Sequence, residues 1–272
     1  MTDVQDPSVS ESAADRVNRR FAGVGAALGL LLWLNLFGAP MMVASAVLLK
    51  THPTLSPLFA FLGMLCVAGG TLWVASSAFG TQWRQAFPLA RVRMGTLVWT
   101  VLVILASLPV VFAWIAWAER VVGLSSLPNP LPMVGVWGVV VGAPLAEELL
   151  FRGYGLARIK ALGGERRALV LTALMFSLSH GSWVKLPGTF LMGLVLGWLV
   201  LQTGSLWPAL MGHVTNNATA LILDRFGTSP ALDSKSASWW VVGGMLLGGL
   251  GMLAVLASPQ VRRRWVPELA PR

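Results

Sequence analysis

Charge is what this chain of 272 residues has least of: Asp, Glu, Lys and Arg make up 11% of it, against 56% hydrophobic residues and a mean hydropathy of +0.71. A soluble domain carries about 25% charged residues, so the scarcity excludes an ordinary soluble fold and places the chain in a bilayer. Cysteine is nearly absent too. Cys66 stands alone inside an apolar run, which rules out an internal disulfide and marks it as a small core or lipid-facing hydrophobe. There is no internal repeat, low-complexity tract or separate soluble domain. The formal charge of +9 does not point to nucleic acid, because the basic residues fall in short clusters between apolar runs, as retention on the cytoplasmic side of a membrane requires.

The apolar runs predict an all-α, polytopic membrane helical bundle of about eight transmembrane helices, each near the length of about 20 residues that crosses a bilayer. They cover 22–49, 56–79, 95–117, 132–152, 169–184, 187–203, 206–223 and 238–258, the fifth and sixth being short. Gly142-Ala143-Pro144 would break a soluble helix but is tolerated where neighbouring helices satisfy the freed backbone groups. Residues 1–20, polar and carrying Asp3, Asp6, Glu11 and Asp15, read as a disordered cytoplasmic tail. Residues 21–258 read as a single transmembrane domain, and 259–272 as a basic cytoplasmic tail. Arginines 16, 19, 20, 84, 91, 93, 158, 166, 167, 262 to 264 and 272, with Lys160, fall on one side of this topology; only Lys50, Arg120, Lys185, Arg225 and Lys235 fall on the other. That asymmetry puts both termini in the cytoplasm of a multi-pass protein, with a bacterial cytoplasmic membrane as the expected location. The stretch 81–94 fits an amphipathic interfacial helix or a basic connecting loop equally well, and Trp239, Trp240 and Trp265 fit interfacial anchoring.

Ionisable groups inside such segments are costly and mark function. Glu147 and Glu148 sit in the fourth segment with Arg152 four residues after Glu148, the favourable order for a helical ion pair. Glu147 points about 100° away around an ideal helix, so one carboxylate is tethered and the other is left for proton transfer. Phe176 and His180 share a face of the fifth segment, as His213 and Asn217 do of the seventh, with His180 expected nearer the bilayer midplane. A polar catalytic cavity open to the cytoplasm is the economical arrangement. His52 lies in a Pro-containing loop, and the formal sequon at Asn217 is discarded because it lies inside an apolar helix.

Glu-Glu-x-x-x-Arg, Phe-x-x-x-His and His-x-x-x-Asn, in this order and in separate apolar segments over about residues 95 to 225, resemble the motifs of the CPBP family of CAAX-processing and bacteriocin-processing intramembrane endopeptidases. The resemblance implies peptide-bond hydrolysis by an activated water, on a membrane-associated peptide or protein substrate. It makes Glu147 the general base, with His180 orienting the water. It makes His213 and Asn217 the oxyanion donors, and Glu148, Arg152 and Phe176 the supporting residues. Zinc held by Glu147, His180 and His213 is possible, yet there is no His-Glu-x-x-His, and no obligatory metal is the favoured expectation. Gly-x-Gly-Asp is missing, and Ser182 stands too near His180 to be a separate nucleophile. The competing class is a proton- or cation-coupled transporter using the same buried groups.

Overall fold

The computed structural model describes residues 13–52, 54–122, 136–225 and 238–266. Among these, every regular element is helical, apart from one isolated bridge between Leu89 and Ser205. Helix α1 runs Ala13–Thr51, with Pro40 inside it, so it opens within the stretch assigned to the N-terminal tail. Residues 1–12 of that tail, 132–135 of the fourth segment and 267–272 of the C-terminal tail lie outside the described residues. Helix α2 (Ser56–Phe79) packs along α1 and passes into a 3-10 turn, Gly80–Ala86. An extended strap over 87–93 then leads to α3 (Met94–Trp117), so the stretch 81–94 is a turn and a strap, not one amphipathic helix. Leu206 N–H donates to Pro88 O at 2.8 Å and pins the strap across the chain.

Residues 136–163 form one continuous rod, longer than the expected segment ending at 152. Its parts are a wide turn Gly138–Gly142, helix α4 (Ala143–Glu147), a wide stretch Glu148–Gly155 and helix α5 (Leu156–Gly163). The rod runs on through Pro144 and ends at Gly164, whose φ of +83° suits glycine and turns the chain back. The wide turn has a local cause. Ala143 N–H reaches back five residues to Gly138 O, and Pro144 has no N–H to give to Val139 in the same register.

Helix α6 (Glu165–Ser179) returns along the rod, α7 (Leu186–Thr203) follows, then α8 (Trp207–Arg225), α9 (Trp239–Ala257) and the short α10 (Pro259–Trp265). Among the described residues four stretches are long and apolar enough to cross a membrane: Ser56–Ala86, Met94–Val121, Leu186–Thr203 and Trp239–Ala257. At 15 residues α6 is about 22 Å long by helical rise, shorter than the hydrocarbon core of about 30 Å. The largest core cluster forms around Leu150, Phe151, Ile159, Phe176, Leu196 and Leu199, so the motif helices lie inside the bundle. Bundling is close where small residues allow it. A Cβ on Gly193 of α7 would lie 2.9 Å from the Cβ of Ala173 on α6, and one on Gly153 only 2.5 Å from Phe87 Cδ1. Cys66 is exposed on α2, on the lipid-facing side of its two expected settings.

Candidate active site

The rod and α6 fold back on one another at Gly164, and Glu148 and His180 stand equally far along the chain from that turn. Antiparallel packing therefore brings the carboxylates and the end of α6 to one level. Helix α8 contributes His213 from the other side.

Glu148 is the hub. Its Oε1 accepts from Arg152 Nη1 at 2.9 Å and from His213 Nδ1 at 2.7 Å, and all three side chains are buried. The Arg152 pair is the i,i+4 contact expected from spacing; the His213 contact joins residues 65 apart. A carboxylate only accepts, so Nδ1 carries the imidazole hydrogen, which fixes the ring and turns Nε2 away from Glu148. Arg152 is held further by its guanidinium, stacked 4.1 Å from the Phe176 ring centre, and by a long contact of 3.5 Å to Gly193 O. That last contact exists because Gly193 lets α7 approach so closely.

Glu147 is placed differently. Its Oε2 lies 3.6 Å from His213 Nε2, is itself buried, and has no hydrogen-bond partner among the described residues. The side chain retains 15% exposure. Both carboxylates thus meet opposite edges of one imidazole, although in an ideal α-helix they would point apart; the wide stretch begins between them.

Phe176 lies at 5.5 Å from His213 and 4.8 Å from His180, edge to face with both. The expected fifth segment over 169–184 is corrected at its end: His180, expected within it and nearer the bilayer midplane, stands just past the last residue of α6. Helix α6 stops at Ser179 because the chain reverses at Gly181, with φ of +60°, and His180 is its exposed C-cap. Its Nδ1 donates to Phe176 O at 2.8 Å, which leaves Nε2 as the open ring nitrogen. Asn217 is half-buried and donates from Nδ2 to Val139 O at 2.9 Å, the carbonyl orphaned by the wide turn before Pro144. Asn216 Nδ2 donates to Asn217 Oδ1 at 3.1 Å and so sets which end of the carboxamide faces Val139. Neither Val139, Gly193 nor Asn216 carries a motif signal, since backbone carbonyls and neighbouring amides leave no pattern in the sequence.

Residues 129–219 match the family model described as Type II CAAX prenyl endopeptidase Rce1-like. That stretch, about a third of the chain, is similar to the Rce1-like model. This is consistent with the CPBP resemblance, and the match contains the Glu147, Arg152, His180, His213 and Asn217 motifs. No curated protein and no solved structure matches the chain. The apolar helices around the matched stretch fit a multi-pass membrane protein.

Zinc can be tested against the donors that the matched stretch supplies. A catalytic zinc takes three protein ligands. Among the described residues no three His, Cys, Asp or Glu side chains gather closely enough to hold an ion. Glu147 Oε2 and His213 Nε2 face each other, and His180 keeps Nε2 open, but the three do not form a close group of donors. The donor set does not fit a three-ligand zinc site.

Proposed function

We propose that this chain is an intramembrane endopeptidase in which Glu147 takes a proton from the water that attacks a peptide carbonyl. What supports this most is the contrast between two adjacent carboxylates: Glu148 accepts from both Arg152 and His213 through Oε1, whereas Glu147 only approaches His213 Nε2 at 3.6 Å, and each keeps one buried oxygen without a partner among the described residues. In this reading the water oxygen bonds to the carbonyl carbon as its proton passes to Glu147. The C–N bond then breaks as that proton is delivered to the leaving nitrogen. His180 accepts a hydrogen bond from the water at Nε2. The developing oxyanion is met by the second N–H of Asn217 Nδ2 and by His213 from Nε2, which must carry a proton there. Glu148 and Arg152 act through His213, holding its ring. No metal takes part in any step.

The proposal includes eight membrane segments, with α6 as the short fifth, and a polar cavity opening to the side that bears Arg158 and Arg167. That side is the cytoplasm, and the substrate is a membrane-associated peptide or protein. The test compares membrane peptides from cells with the wild-type chain, without it, and with Glu147→Gln, alongside purified protein. The Gln variant should fold, and turnover should fall by on the order of 10² or more. Wild-type activity should survive exhaustive chelation. Normal cleavage by Glu147→Gln refutes the base assignment, and loss on chelation with recovery on adding Zn²⁺ refutes the metal-free step.

A further inference from the structure

An apolar groove of about 470 Å³ lies where the strap, the first turn of α3 and the first two turns of α8 meet. Val92, Leu97, Trp207, Leu210 and Val214 wall it, and Arg91 is its one charged lining residue. The groove is separate from the cluster around Glu148. A helix turns about 100° per residue, so Leu210 and Val214 present a face of α8 beside the one that sends His213 inwards.

Three observations bear on what fills it. First, Arg91 is exposed and takes part in none of the ion pairs among the described residues. No acidic residue occurs anywhere between Asp15 and Glu119, so the segment that carries the strap has no carboxylate of its own to offer. Second, more positive charge gathers at this end of the bundle. Arg93 is on the strap, and α10, with Arg262, Arg263 and Arg264, abuts α3 so closely that a Cβ on Gly95 would lie 2.6 Å from Trp265 O. Trp207 and Trp265 are both exposed at these helix ends, the level at which indoles sit beside lipid headgroups. Third, of the groove's apolar walls only the Trp207 indole offers a hydrogen-bond donor, which suits a chain with no amides to satisfy.

We propose that this groove binds an anionic phospholipid, with an acyl chain against Leu97, Leu210 and Val214 and its phosphate on Arg91. A guanidinium matches a phosphate through two parallel N–H···O bonds, and basic pockets between membrane helices take anionic headgroups in this way. The assignment does not depend on the catalytic reading.

The test is native mass spectrometry of the full purified chain, equilibrated in detergent with phosphatidylglycerol or phosphatidylcholine. The wild type should retain phosphatidylglycerol in preference to phosphatidylcholine. Arg91→Gln should cut that retention about fivefold, the weight of one basic side chain at an anionic surface, and Val214→Trp, which fills the groove, should abolish it. Arg158→Gln, a basic residue on α5 away from the groove, should leave it unchanged. Because Arg91 is exposed, its variant should melt at the wild-type temperature, so it decides the question even if Val214→Trp misfolds. Unchanged retention by Arg91→Gln, or equal retention of phosphatidylcholine, overturns the proposal. Displacement by glycerol 3-phosphate alone also overturns it, since that marks a free phosphate site. So does photolabelling of Leu210 by an apolar peptide in preference to a diazirine-tailed phosphatidylglycerol.

Discussion

Replacing Arg152 by Met keeps the side chain's reach and removes its charge at the most buried ionic contact described in the protein. Arg152 and Glu148 are essentially sealed from solvent, joined at 2.9 Å. The substitution leaves Glu148 with His213 alone and puts two carboxylates around one imidazole with no permanent cation. Breaking a buried pair from one side costs about 3–5 kcal/mol, of which the lost stacking on Phe176 accounts for about 1–2 kcal/mol. At roughly 2–4 °C per kcal/mol for a chain of this size, the melting temperature should fall by on the order of 10 °C. Arg152→Lys keeps the charge but loses the planar fork and the stacking, so it should cost about 1–2 kcal/mol. Adding Glu148→Gln to Arg152→Met removes the stranded charge while its carbonyl still accepts from His213 Nδ1, and should recover most of the loss. Tryptophan fluorescence during heating in detergent follows all four proteins, since the chain has 13 tryptophans. If Arg152→Met melts within about 2 °C of the wild type, or the double variant is no more stable than the single, the buried pair does not carry the weight assigned to it.

Asn217→Ala should orphan Val139 O and cost about 1–3 kcal/mol in the same melting assay; an unchanged melting temperature would mean that water satisfies that carbonyl as well as the side chain does. Gly153→Ala should destabilise by about 1–3 kcal/mol through overpacking on Phe87, and Phe87→Leu should restore part of it; additive losses in the double variant would place the clash elsewhere. In a Cys66→Ala background, Ser8→Cys and Ser258→Cys should both be shielded from an external impermeant thiol reagent in intact cells. Labelling of either one breaks the proposed orientation.

The amino-acid sequence by itself determined whatever depends on neighbours along one helix. Low charge and long apolar runs dictated an all-helical membrane class, because unpaired backbone groups have no place in lipid. Four-residue spacing dictated the Glu148–Arg152 pair and the shared face of Phe176 and His180, since residues one turn apart must meet. Tertiary packing decided the rest. His213 could not be read as the partner of Glu148, nor Asn217 as the cap of Val139, because 65 and 78 residues separate them and no local period spans such a distance. The continuation of the rod beyond 152 to Gly163, and the place of His180 at a helix end instead of inside one, were equally hidden. Both follow from backbone hydrogen bonds that other helices complete or glycines interrupt, and a side-chain pattern does not record where a backbone carbonyl finds its donor.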